Sequence, residues 1–214
     1  MELQEKLRKE NNMLGKWNKS VILSYVGLSL AIIGIYLAIK GYNMKYTQIC
    51  FMYVGICDLF DGTVARMCKR TKEEKQFGIE LDSLIDVIDF LALPIVILIC
   101  LGITKWYALP VYIIYAIFGI ARLAHFNITT EDSKTPRKFY EGLPVTYAAF
   151  FFTTVYLLSY VLKTSIFNII YLLMTLVIAL LYILKIKIHK PNLIASIIFL
   201  ILAIILTVLY LFVL

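Results

Sequence analysis

The chain has 214 residues, 61% of them hydrophobic, and a mean hydropathy of +0.85. A water-soluble domain of this size has too little interior to hide so much apolar surface, so lipid is the expected solvent for most of the chain. The net charge of +7, from 21 Lys+Arg against 14 Asp+Glu, reads in such a chain as loop orientation, and no nucleic-acid partner is expected. The four cysteines, Cys50, Cys57, Cys68 and Cys100, show no CxxC spacing and no clustering with histidine, which argues against a disulfide framework or a zinc site.

Residues 1–19 are polar and charged without the apolar core of a signal peptide. Leu3, Leu7, Met13 and Leu14 form a weak helical stripe. This predicts a short helix on the membrane surface with Trp17 at the interface. A span needs about 20 apolar residues. Such runs occur at 20–40, 46–66, 80–103, 106–126, 143–162, 165–185 and 191–213. The expected fold is all-α: a six-helix transmembrane domain over 20–186, with 191–214 as an additional C-terminal transmembrane helix. Only the connections at 67–79 and 127–142 are long.

The basic residues test this topology. Those at the N-terminus (Lys6 to Lys19) and in the loops after spans two, four and six number 16, against four on the other side (Lys40, Lys45, Lys105 and Lys163). The asymmetry supports the span count and predicts a cytoplasmic N-terminus, with both long loops on the same side.

Acid placement is the feature that carries chemistry. Of six aspartates, Asp58, Asp61, Asp82, Asp86 and Asp89 lie within or beside apolar runs, and only Asp132 does not. Asp58 and Asp61 are spaced i, i+3; Asp82, Asp86 and Asp89 are spaced i, i+4, i+7. Each set therefore shares one helical face, and two antiparallel neighbours would bring four or five carboxylates together. Each ionised aspartate deep in a span costs roughly 2.5–3.5 kcal/mol, and Arg66 alone cannot neutralise four of them. Two divalent cations such as Mg²⁺ or Mn²⁺ would balance four carboxylates, and paired metals suit phosphoryl chemistry. A proton or Na⁺ relay in a transporter is the competing reading. Gly62 and Ala65 beside the acids, and Gly78 four residues before Asp82, would leave room for a bulky ligand to approach the backbone.

Taken together, the residues read Asp58-x2-Asp61-Gly62-x2-Ala65-Arg66-x11-Gly78-x3-Asp82-x3-Asp86. This pattern resembles the signature DxxDGxxAR…GxxxDxxxD of the CDP-alcohol phosphatidyltransferases. The resemblance implies that Asp58, Asp61, Asp82 and Asp86 hold two metal ions. It also implies that Asp86 serves as general base, and that Gly62, Ala65, Arg66 and Gly78 cradle the nucleotide of a CDP-linked lipid. Lys72, Asn18 and Ser20 fall near further nucleotide contacts of the family, although Val21 stands where its threonine is expected.

Two later segments, Ala121 to Asn127 (ARLAHFN) and Lys138 to Val145 (KFYEGLPV), resemble the phosphatidylserine synthase branch. That branch implies CDP-diacylglycerol and L-serine as substrates; the family resemblance implies a homodimer, and the loop charges predict a site on the cytoplasmic side. His125, Tyr140, Thr146, Asp89 and Leu91 depart from the branch pattern. Arg122, Asn127, Arg137 and Lys138 are the candidate acceptor-binding residues; a buried Arg122 would bind the acceptor's carboxylate or pair with Asp82 or Asp89. Glycerol 3-phosphate or inositol phosphate are the alternative acceptors.

Overall fold

A computed structural model describes residues 15, 18–131, 139–189 and 193–213. The predicted interfacial helix, including Trp17, and the candidate residues Arg137 and Lys138 lie outside the described residues. Among the described residues, six helices are long and apolar enough to cross a membrane, and a seventh apolar helix is shorter. The chain is a multi-pass integral membrane protein.

Helix α1 (Ile22–Ile39) buries Gly27, Ala31, Gly34 and Ala38, a stripe of small side chains that lets it lie along α2 (Met44–Met67). Lipid supplies no hydrophobic drive between helices, so such close backbone approach is what makes them associate. The Asn18 side chain caps the turn before α1, accepting from the Ser20 amide at 3.0 Å and from the Ser20 hydroxyl at 2.5 Å.

Helix α3 (Lys72–Cys100) is 29 residues long and starts well before the expected position 80. Its start is set by a capping box: Thr71 Oγ1 accepts from the Glu74 amide, and the Glu74 carboxylate accepts from the Thr71 amide. The connection expected over 67–79 is therefore only Cys68 to Thr71, and the polar residues that looked like loop form the first two, largely exposed turns of the helix. Within α3, Val87–Ala92 is a π-helical turn, with the Leu93 amide donating to the Ile88 carbonyl. Pro94 cannot donate to the Phe90 carbonyl; the Tyr115 hydroxyl does so instead, at 2.7 Å.

Helix α4 (Ala108–Glu131) packs against α6 (Thr164–Ile183). The segment that connects them in sequence contains α5 (Tyr147–Tyr156), extended by a 3₁₀ turn at Leu157–Tyr160 and packed mainly on α2. Fourteen helical residues span about 21 Å, short of the ~30 Å hydrocarbon core. The expected full span at 143–162 is thus partly irregular. Gly142 to Thr146 is a buried, non-helical stretch, which a membrane protein tolerates where the backbone lines a cavity. Gly142 has φ +76°, and a Cβ there would stand 2.6 Å from the Tyr182 carbonyl oxygen.

The strand β1 (Phe139–Glu141) pairs antiparallel with β2 (Lys187–His189). The Gly142 amide extends this pairing to the Ile186 carbonyl at 2.9 Å. The loops after α4 and α6 are thereby zipped together at one end of the bundle, as the alternation of loop charge requires. Helix α7 (Leu193–Val208), continued by a π turn at Leu209–Val213, packs on α2 and α5. Phe199 meets Phe150 with centroids 4.4 Å apart, Thr207 Oγ1 donates to the Tyr53 hydroxyl at 3.4 Å, and the Tyr210 hydroxyl donates to the Thr153 carbonyl at 2.5 Å.

Candidate active site

The acids converge as their spacing requires. Asp58, Asp82 and Asp86 each offer a carboxylate oxygen, and these oxygens lie within 4.8 Å of one another. Asp61 and Asp82 stand within hydrogen-bonding reach of each other. Two carboxylates so close repel strongly when both are ionised. Hard oxygen donors from two facing helices, crowded at this distance, fit divalent cations of the Mg²⁺ or Mn²⁺ type.

Two hydroxyls orient the carboxylates. Ser24 on α1 donates to Asp61 Oδ2 at 3.0 Å, and Thr146, at the irregular start of α5, donates to Asp58 Oδ2 at 2.5 Å. Each bond fixes one oxygen of its acid. Neither hydroxyl is apparent from local sequence, because Ser24 lies 37 residues and Thr146 88 residues from its acid. The one available signal was Thr146 itself, standing where the branch pattern has proline.

The acids border a cavity of about 540 Å³, large enough for a sizeable headgroup. Gly62, Thr63 and Arg66 form its α2 side. The Arg66 Nη2 donates to Thr63 Oγ1 at 2.9 Å, and the guanidinium remains exposed. A Cβ at Gly62 would have only Arg66 Nη1 within 4 Å, at 3.8 Å. The glycine thus relieves no crowding inside the protein; what it keeps open is the cavity.

The other side of the cavity is formed by Arg122 and Phe126 of α4, with Thr146, Tyr147 and Ser196. Arg122 is buried, with its guanidinium 5.0 Å from the centre of the Phe126 ring. Asn127 does not line the cavity but braces it: its side chain exchanges hydrogen bonds with Ser83, at 3.0 and 2.8 Å, beside Asp82. His125 Nε2 lies 3.5 Å from Glu141 Oε2, away from the acids. Ala65, Lys72, Gly78, Asn18 and Ser20 are not among the residues lining the cavity. Gly78 faces Arg70, whose Nη1 would be 3.8 Å from an added Cβ, while Lys72 is exposed in the first turn of α3. Ser196 is a wall residue the sequence did not reveal, since it belongs to α7.

Fold and site together define a polytopic membrane protein whose helices hold a carboxylate cluster at the floor of a polar cavity, beside an arginine and a glycine-opened backbone. The chain belongs to the CDP-alcohol phosphatidyltransferase family, whose model matches residues 17–209. Among curated proteins it is similar to the CDP-diacylglycerol–serine O-phosphatidyltransferase of Saccharomyces cerevisiae, with 37% identity over 101 residues, covering 44% of this chain and 36% of the relative. It is also similar to the proteins of that name from Helicobacter pylori strain J99 (39% over 102 residues; 44% of this chain, 38% of the relative) and Mycobacterium bovis (32% over 93 residues; 42% and 32%). The matched stretch spans a little over a third of the first two relatives' own length.

Proposed function

We propose that this chain transfers a phosphatidyl group from CDP-diacylglycerol to L-serine, giving phosphatidylserine and CMP. The observation that carries the reading is the convergence of Asp58, Asp82 and Asp86 within 4.8 Å at the edge of a cavity that Gly62 and Arg66 also line. Asp58, Asp61, Asp82 and Asp86 would hold two divalent cations, which when bound neutralise the diphosphate and stabilise charge developing on it. Arg66 suits the diphosphate because its fork of donors matches phosphate oxygens.

Asp86 is the group assigned to accept the serine hydroxyl proton. As that proton leaves, the serine oxygen bonds to the β-phosphorus, and the bond from that phosphorus to the bridging oxygen breaks. The electron pair departs with CMP. Arg122, buried on the cavity wall, supplies a fixed positive charge for the serine carboxylate. The names of the curated relatives support serine over the other acceptors, as does the cavity wall itself. A phosphorylated acceptor would call for several basic groups there, and Arg122 is the basic residue that the α4 side contributes among the described residues.

The test is CMP release by the purified protein from CDP-diacylglycerol with Mg²⁺ or Mn²⁺, given serine, glycerol 3-phosphate or inositol phosphate in parallel. Release with serine alone is the expected result. Release only with a phosphorylated acceptor moves the chain to another substrate, and no release with any acceptor removes the enzyme reading in favour of cation or proton transport.

A further inference from the structure

Asp89 is the one acid of the constellation that the signature leaves without a role. It sits in the π-helical turn Val87–Ala92, and such turns re-aim the side chains they carry. It is only 3% exposed, and its Oδ1 has no hydrogen-bond partner among the described residues. Its Oδ2 lies where Gly27 makes α1 thin, 3.5 Å from the position of a Cβ on that glycine.

A buried carboxylate oxygen with nothing to bond costs free energy that a fold does not normally retain. The space it borders is informative. On the α1 side of the acids, sharing Asp58, Asp61, Asp82 and Asp86 with the main cavity, lies a small chamber of about 10 Å³, the scale of one water or ion. Asp58, Asp61, Asp82, Asp86 and Asp89 all line it, with the Ser24 hydroxyl and the Cys57 thiol. Every carboxylate proposed as a metal ligand therefore faces the same small chamber as Asp89.

We infer that Asp89 adds a fifth carboxylate around a divalent cation held at this chamber, reaching it through water on the ion and strengthening its retention there. The inference rests on the proposed metal-dependent function. Its logic is the donor set: the unbonded oxygen is satisfied by water on the ion, and the fifth negative charge binds a cation at this chamber more tightly than one farther from Asp89. Carboxylates that support metal ligands in this way are worth roughly 10–100-fold in affinity. The neighbouring Leu91, which is large for its position, is accommodated separately: a Cβ at Gly119 would stand 2.3 Å from Leu91 Cδ2, so α4 is hollowed to receive it.

The experiment is direct Mn²⁺ binding to the full chain in detergent, by calorimetry and by the paramagnetic resonance signal of free Mn²⁺, without substrate. Asp89→Asn and Asp89→Ser are compared with the unaltered chain, and thermal unfolding without metal checks that each variant is folded. The expected result is a roughly 10–100-fold loss of affinity at one class of site and a smaller Mn²⁺-induced rise in unfolding temperature, in either variant that folds. Unchanged binding in a folded variant overturns this inference alone. An unaltered chain that binds no Mn²⁺ overturns the proposed function and this inference with it.

Discussion

At the scale of single residues, the site depends on carboxylates whose orientation is set by hydroxyls from other helices. Thr146 bonds Asp58 and Ser24 bonds Asp61, so these two acids are held in position by segments far away in the sequence. Thr146→Ala should weaken divalent-cation affinity by roughly 10–100-fold while the chain still folds, read by the same Mn²⁺ titration. Asp86→Asn should lower the rate of CMP release by at least about 10²-fold, the scale of a lost general base; a variant with full activity would remove Asp86 from that role. The aspartates were legible because each set lies on one helix, where spacing alone fixes the shared face. Thr146 and Ser24 were not, because tertiary packing brings them to the acids from distant segments.

At the scale of elements, the seven apolar runs were readable from composition, and the departures have local physical causes. The early start of α3 follows from the Thr71–Glu74 capping box, a short-range signal that hydropathy does not register. The shortness of α5 follows from the buried segment Gly142 to Thr146, where a helix would carry Thr146 away from Asp58. Gly142→Ala combines a positive φ with a clash against the Tyr182 carbonyl. It should destabilise the protein by at least about 1–3 kcal/mol, seen as a lower unfolding temperature in detergent. Tyr115→Phe removes the donor that replaces the missing Pro94 amide at the Phe90 carbonyl. Its expected cost is smaller, about 0.6–1.7 kcal/mol, as for other polar contacts between membrane helices.

For the whole molecule, the charge asymmetry and the fold agree on which loops share a side. The β1–β2 pairing joins the loops after α4 and α6, both of which carry basic residues, and the acid cavity opens at the same end. We expect that end to be cytoplasmic, by the positive-inside rule. In a chain whose four native cysteines are replaced by serine, cysteines introduced at Lys69 and Lys187 should react with a membrane-impermeant maleimide only in inside-out vesicles, and those at Lys105 and Lys163 only in right-side-out ones. The reverse pattern would invert the topology. Which loops lie together could be read from loop charges, whereas the seating of α7 against α2 and α5, which puts Ser196 in the cavity wall, could not. Hydropathy reports that a helix is apolar and carries no record of which neighbour it touches.

In the proposed reaction the serine oxygen attacks phosphorus at the aspartate cluster. Its most direct test uses serine labelled with ¹⁸O in the side-chain hydroxyl, with CDP-diacylglycerol, a divalent cation and the purified chain, and reads both products by mass spectrometry. The expected products are phosphatidylserine that retains the label and an equal amount of unlabelled CMP. Unlabelled phosphatidylserine, or CMP released without any serine lipid, would contradict it.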